Sequence, residues 1–198
     1  MDSKLSSIIS KIVLGGISLY FIYILTVVVS TVNRRHIGTT DGTYINNTQS
    51  NQNIHKLALE LTKNCSDNNC RIQNILDNVT NIPYKINHFT AHSPQETIQK
   101  NFGDCDDKSN LLISLLHELS IESYFVLVPK HIFVIVTIDK PIAKKGIYLD
   151  DKKYYILEST ATNSHIGFPL QYELNNIHAI VEPFQNRKLE IKKLEWKL

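Results

Sequence analysis

A cysteine, a histidine and a glutamate occur in this sequence in an order that suits nucleophilic catalysis. Cys105 lies in NFGDCDDKSN, His131 opens the apolar stretch HIFVIVTI, and Glu158 ends YYILE. A thiol attacks as the thiolate, and an imidazole beside it can take the proton and later return it to a leaving group. A carboxylate can hold that imidazole in one tautomer. The three residues predict a nucleophile, a general base and acid, and an orienting carboxylate.

Three acids surround the thiol, and their charge alone would disfavour a thiolate. We expect Asp104 to cap a helix that begins near Cys105, so that Asp104 and Asp107 accept the orphan N–H groups of its first turn. The helix dipole favours these carboxylates and a thiolate alike. The helix therefore explains the acids, and a thiolate–imidazolium pair would need His131. The apolar stripe that predicts this helix consists of Leu111, Leu112, Leu115, Leu116 and Leu119.

The elements around these residues predict an α+β fold. Helical spacing marks IHKLALELTK and CRIQNILDNV, and SPQETIQKN begins with a helix-start signature of Ser93, Pro94 and Glu96. Downstream, SYFVLV, HIFVIVTI, KYYILEST and HAIVEPF are rich in β-branched and aromatic residues, and KLEIKKLEWKL is typical of an edge strand. We expect N-terminal helices and a Cys-bearing helix packed on an antiparallel sheet.

The N-terminal region predicts a membrane anchor. After a short tail, residues 1–11, the segment 12–32 carries no charge and is long enough as a helix to cross a bilayer. A cleaved signal peptide is the alternative, because small residues precede Thr31. Flanking charges do not decide the orientation. Polar residues at 33–53 predict a flexible linker, and 54–198 is the expected domain.

Composition and cysteine spacing limit the other interpretations. The formal charge of +2 comes without a dense basic run, which argues against a nucleic-acid partner. Cys65 and Cys70 flank a short polar loop, where either a disulfide or two free thiols fits. No metal site is expected, because Asp104, Asp106 and Asp107 lack EF-hand spacing and no third ligand accompanies the nearby histidines, His88 and His92. No cofactor is expected.

The segments GDCDDKSNLLISLLHELSIES, HIFVIV and YYILEST resemble the transglutaminase-like superfamily of papain-type cysteine enzymes over roughly Pro94 to Pro169. LESTATNSHIGFP is similar to membrane-anchored bacterial or archaeal relatives. The resemblance implies Cys105 as the nucleophile, His131 as the general base and acid, and Glu158 as the orienting carboxylate. The chain departs from the family at Glu158, where Asp is more frequent, and at Phe133, where Trp is more frequent.

These features predict an enzyme that transfers acyl groups from amide bonds of protein or peptide substrates through a thioester. Water as acceptor gives a peptidase or amidase, an amine gives a transglutaminase, and the sequence leaves both open. Gln99 is a weaker candidate, as an amide donor to the oxyanion. The alternative function is a membrane-tethered binding or assembly module that keeps the fold without turnover. The expected location is a single-pass membrane protein with an extracytoplasmic domain, periplasmic or on the cell surface.

Overall fold

The computed structural model describes residues 3–32, 35–40, 42–87 and 91–198, which divide into two units, Met1–Arg35 and His36–Leu198. The first unit contains helix α1 (Ser3–Val32). Its window Ser7–Val29 has a mean hydropathy of 2.5, and none of that window is buried. This length and composition fit a membrane anchor and also fit a signal sequence.

A short hairpin occupies much of the segment predicted as a flexible linker. Strands β1 (Arg35–Thr39) and β2 (Gly42–Asn46) pair with each other. The Tyr44 hydroxyl donates to the Val128 carbonyl at 2.7 Å, and Asn46 Nδ2 donates to the Pro183 carbonyl at 2.5 Å. The polar side chains of this segment thus bind particular backbone groups of the domain. Composition alone cannot distinguish polar side chains that bind backbone groups from polar side chains that remain in contact with water. Residues 33, 34 and 41 of the linker lie outside the described residues.

The predicted helices form, with their start signals in place. They are α2 (Gln52–Thr62), α3 (Asn68–Thr80), α4 (Pro94–Lys100) and α5 (Cys105–Glu118). Ser93 and Glu96 make the expected capping box at the start of α4. A disulfide joins Cys65 and Cys70, whose Cα atoms are 5.4 Å apart, at the connection between α2 and α3.

The antiparallel sheet is confirmed, with seven strands in the order β8-β7-β3-β4-β6-β5-β9. The predicted strands form, and the C-terminal β9 lies at the sheet edge beside β5. Strands β5 and β8 were not expected, because both are short. The strand bounds are β3 (Ser123–Val128), β4 (His131–Val136), β5 (Gly146–Leu149), β6 (Lys152–Leu157), β7 (Ala179–Glu182), β8 (Arg187–Lys188) and β9 (Leu194–Lys197).

Each face of the sheet packs into its own apolar cluster. Along β4, Ile132 and Val134 belong to the cluster shared with the helices, whereas Phe133 and Ile135 belong to a second cluster. This alternation follows from the two-residue period of a strand. Helix α5 is enclosed, with every residue from 107 to 116 buried. The start of α5 is therefore held against one face of the sheet.

Candidate active site

Cys105 is the first residue of α5, and its neighbours fix the start of that helix. Asp104 Oδ1 accepts hydrogen bonds from the backbone N–H groups of Asp106 and Asp107, at 3.2 and 3.3 Å. Asp107 Oδ2 accepts in return from the Asp104 backbone N–H, at 3.4 Å. This capping box confirms the structural role predicted for Asp104 and Asp107.

Gly103 is required by the close packing of the turn before the helix. A Cβ atom at this position would lie 2.7 Å from Cβ of Asp107 and 3.3 Å from Cγ2 of Thr97. The glycine is also held by its backbone, which donates to the Pro83 carbonyl and accepts from the Lys85 N–H. The side chain of Asp107 thus lies so close to residue 103 that only glycine fits there without a shift. This contact is not evident in the sequence.

The acids also bind backbone groups from outside the helix. Asp106 Oδ2 accepts from the Ile45 N–H at 3.2 Å, and Asp104 Oδ2 accepts from the Asn87 N–H at 3.1 Å. Asp107 Oδ1 accepts from the backbone N–H of His92 at 2.5 Å. The acids therefore join the helix start to β2 and to the connection between α3 and α4. Sequence reasoning missed these partners, since all lie far away along the chain.

The surroundings of the thiol keep it protonated in this structure. Burial raises the pKa of Cys105, and the negative charges of Asp106 and Asp104 raise it further. The thiol contacts Asp106 Oδ1 at 3.5 Å, and no hydrogen bond joins it to His131 among the described residues. The structure therefore differs from the thiolate–imidazolium pair expected from the sequence. The reason is that a buried thiol between carboxylates is stabilised in its neutral form.

His131 and Glu158 are brought together by neighbouring strands. His131 opens β4 after a tight turn in which Lys130 has a φ of 57°. Strand β6 pairs with β4, and Glu158 follows β6 directly. Glu158 Oε2 lies 2.8 Å from Nε2 of His131. The predicted histidine and carboxylate are therefore in contact.

Thr160 completes the environment of the carboxylate. The Glu158 Oε1 atom accepts from the Thr160 backbone N–H at 3.0 Å and from its hydroxyl at 2.6 Å. Burial alone raises the pKa of Glu158, but the hydrogen bond and charge of His131, together with the bonds from Thr160, outweigh it. The net effect lowers the pKa, so Glu158 is ionised at neutral pH. The sequence EST places Thr160 two residues after Glu158, so both partners of this contact are close together along the chain.

The thiol and the imidazole line two different cavities. One cavity, of about 230 Å³, is lined by His131, Glu158 and Tyr172. The other, of about 290 Å³, is lined by Cys105, Lys130 and Tyr84. Because Lys130 and His131 are adjacent, the turn between β3 and β4 lies where the two cavities approach each other.

Tyr172 is a site residue that sequence reasoning missed. Its ring lies nearly parallel to that of His131, with the centroids 6.2 Å apart and the planes at 18°. Burial raises the pKa of Tyr172, and the charge of Glu158 raises it further. The Tyr172 hydroxyl is thus within electrostatic range of the carboxylate. No spacing signal could identify it, because it lies in an irregular segment after β6.

The remaining candidate residues have less defined surroundings. Gln99 is exposed on α4, and within the described ranges no hydrogen bond links it to Cys105. His92 is buried beside Asp107, with Nδ1 and Oδ2 3.2 Å apart. His88 lies outside the described residues.

The start of α5 also gathers three side chains of types that can bind a metal ion. One potential ligand atom from each of Asp104, Cys105 and Asp106 lies within 4.8 Å of the others. Both carboxylates there already accept backbone hydrogen bonds.

A known protein family and solved structures are similar to this chain. The family model of the transglutaminase-like superfamily matches residues 55–159, which include Cys105, His131 and Glu158. The structure is similar to a candidate cysteine protease from Cytophaga hutchinsonii, with a TM-score of 0.47 and 19% identity, covering 73% of this chain and 50% of that one. It is also similar to a candidate protease from Parabacteroides distasonis, with a TM-score of 0.46 and 15% identity, covering 70% of this chain and 27% of that one. This chain therefore spans half or less of the length of both proteins. No curated protein sequence matches it.

Proposed function

Since the chain belongs to the transglutaminase-like superfamily, we propose that it is a cysteine-dependent enzyme that transfers acyl groups from amide bonds of protein or peptide substrates. Cys105 is the nucleophile, His131 is the general base and acid, and Glu158 orients the imidazole. The observation that carries this proposal is the 2.8 Å contact between His131 Nε2 and Glu158 Oε2 on the strands that face the Cys105 helix.

The roles follow from the ring nitrogens and from the state of the thiol. Ionised Glu158 accepts a hydrogen bond from the N–H group at Nε2, so the neutral ring presents Nδ1 as a base. The raised pKa of Cys105 means that the resting thiol keeps its proton, and attack therefore requires such a base. The two groups must approach during the reaction, which is consistent with catalytic contacts tightening when substrate binds.

The reaction then proceeds in two balanced steps. The Cys105 proton moves to Nδ1 of His131 as the sulfur bonds to the amide carbon, and the tetrahedral intermediate collapses when His131 gives that proton to the leaving amine. The C–N bond breaks and a thioester remains. Water or an amine then gives a proton to His131 as its oxygen or nitrogen bonds to the thioester carbon. The C–S bond breaks, and the Cys105 sulfur takes that proton back from His131. Water yields a carboxylic acid, and an amine yields a new amide.

A membrane location accompanies this function in our proposal. Helix α1 anchors the full chain, and the domain from His36 onward lies outside the cytoplasm. The disulfide between Cys65 and Cys70 supports this, because such bonds persist in oxidising compartments. Substrates would then be proteins or peptides at the outer side of the membrane.

Full-length protein in detergent, incubated with a mixture of casein peptides, tests the proposal. Mass spectrometry should detect cleaved peptides, or amine adducts when hydroxylamine is added as the acceptor. Cys105→Ala and His131→Ala should abolish both products. Product formation that persists in Cys105→Ala would show that another group is responsible, and an inactive wild type would remove the enzymatic proposal.

One observation favours a second candidate function. The thiol contacts Asp106 rather than His131, and its pKa is raised, as fits a module that keeps the fold without turnover. Such a module would bind peptides from the same mixture without changing their masses. Equal retention of intact peptides by wild type and Cys105→Ala would support this alternative.

A further inference from the structure

Ser109 lies one helical turn after Cys105, on the same face of α5, and is fully buried. Its hydroxyl oxygen is 3.1 Å from the hydroxyl oxygen of Ser159 and 3.5 Å from the Ile132 carbonyl oxygen. Ser159 is also fully buried. These three groups form a small polar contact within an otherwise apolar interface between the helix and the sheet.

The partners of Ser109 are the immediate neighbours of the proposed catalytic residues. Ile132 follows His131 on β4, and Ser159 follows Glu158 after β6. One side chain on the Cys105 helix therefore contacts both segments that carry the imidazole and the carboxylate. The backbone positions of these two segments determine where the His131 ring can lie relative to the Cys105 sulfur.

The other buried polar side chains near the start of α5 bind elsewhere. Lys108 Nζ donates to the Thr80 and Ile82 carbonyls after α3. Asn110 Nδ2 donates to the Ile45 carbonyl on the N-terminal hairpin. Ser114 Oγ accepts from the Gln49 N–H. Among these described hydrogen bonds from α5, those of Ser109 are directed at the sheet segments beside His131 and Glu158.

We infer that Ser109 and Ser159 are positioning residues, which set the separation between the Cys105 sulfur and the His131 ring. The expected effect of this contact on turnover rests on the proposed function, in which Cys105 and His131 are catalytic. The contact fixes the helix along the sheet, since a hydroxyl pair has a narrow range of favourable distances and an apolar contact slides more readily. Among the described residues no hydrogen bond joins the sulfur to the imidazole, and the Ser109 contact links the helix that carries Cys105 to the segments that carry His131 and Glu158.

The matched set of variants is Ser109→Ala, Ser159→Ala, their combination, and Ser114→Ala as the control. Ser114 lies on the same helix, is equally buried and also makes a hydrogen bond. Loss of stability alone should therefore appear in all the single variants. With casein peptides, kcat should fall about 10- to 100-fold in Ser109→Ala and Ser159→Ala, because small displacements at a catalytic site are costly.

The remaining kinetic outcomes separate positioning from packing. KM should stay within about twofold, since substrate contacts are unchanged. The combined variant should lose no more kcat than either single variant, because both remove the same contact. Ser114→Ala should keep its kcat even if it melts earlier. Equal kcat losses in Ser109→Ala and Ser114→Ala would overturn the inference.

A second readout needs no turnover. Alkylation of Cys105 with iodoacetate places a carboxylate on the sulfur, and its charge should displace the ring resonances of His131 in NMR spectra of the full chain in detergent, because the field of a charge falls with distance. This displacement should be smaller in Ser109→Ala and Ser159→Ala than in wild type and Ser114→Ala, because the separation is larger. An unchanged displacement in Ser109→Ala would overturn the inference. An inactive wild type that shows the predicted pattern would refute the proposed function alone.

Discussion

Glu158 Oε2 lies 2.8 Å from Nε2 of His131, and the carboxylate also accepts two hydrogen bonds from Thr160. The carboxylate is thus held on one side by Thr160, and its other oxygen is directed at the imidazole. In the proposed mechanism, this arrangement holds the ring in one tautomer, with the proton on Nε2 and the lone pair on Nδ1.

The first prediction concerns Glu158→Gln. The amide keeps the size of the side chain, but its NH2 group can donate a hydrogen bond to Nε2 and so favour the tautomer with the proton on Nδ1. We expect kcat to fall by about 10²- to 10⁴-fold in a protein that remains folded at the assay temperature. Glu122→Gln is the control, because Glu122 accepts hydrogen bonds from Tyr124 and Tyr154, and none joins it to Cys105, His131 or Glu158 in the part of the chain that the structure describes. A Glu158→Gln protein that turns over normally would show that the carboxylate does not orient the ring.

A second prediction follows from the lowered pKa of Glu158. Burial raises the pKa of Glu158, but the hydrogen bond and charge of His131 and the hydrogen bonds from Thr160 outweigh this effect. The pKa therefore lies below its ordinary value of 4.5. A carboxyl with a lower pKa in the folded state stabilises the fold above its unfolded pKa, and this contribution is lost as the pH falls through the folded value. Urea unfolding should therefore show a larger loss of stability on acidification in wild type than in Glu158→Gln. Equal losses would contradict the predicted pKa.

The third prediction concerns the thiol and Asp106. After burial, the charge of Asp106 is the next largest cause that raises the pKa of Cys105. Asp106→Asn should therefore shift the pH profile of iodoacetamide labelling to lower pH, whereas wild type should label above the ordinary value of about 8.5. Because Cys65 and Cys70 are joined, the reagent reports on Cys105.

Asp77→Asn is the control for this profile. Asp77 accepts a hydrogen bond from Gln73 on α3 and is not among the charges that act on the thiol. Its profile should match wild type. Labelling of wild type well below the ordinary range, lost in His131→Ala, would instead indicate the resting ion pair with His131 expected from the sequence.

Elements with local signals were predictable from the sequence, and long-range contacts were not. Ser93 and Asp104 begin helices through patterns of four residues, and β3 matches SYFVLV from end to end. The hairpin at 35–46 was missed because its stability comes from partners such as Val128, far along the chain. At the site, the order of Cys105, His131 and Glu158 could be read directly. The raised thiol pKa depends on burial, which the sequence does not display.

The fourth prediction tests the close packing at Gly103. A methyl group there would lie 2.7 Å from Cβ of Asp107, so the start of α5 must move. Gly103→Ala should cost about 1–3 kcal/mol of unfolding free energy, as overpacking does. Gly38→Ala is the control, since a Cβ there meets nothing within 4 Å. An unfolding free energy in Gly103→Ala equal to that of Gly38→Ala would show that the turn can relax without cost.

The last prediction concerns the membrane and the disulfide. If α1 anchors an extracytoplasmic domain, the full chain should remain in the membrane fraction after alkaline carbonate treatment, and alkaline phosphatase fused after Leu198 should be active in a bacterial host. Mass spectrometry should find the N-terminal helix intact, whereas a signal peptide would be missing from the mature chain. Maleimide should label Cys65 and Cys70 only after reduction, because an oxidising compartment keeps them joined. Labelling of both thiols without a reductant, together with an inactive phosphatase fusion, would place the domain in the cytoplasm.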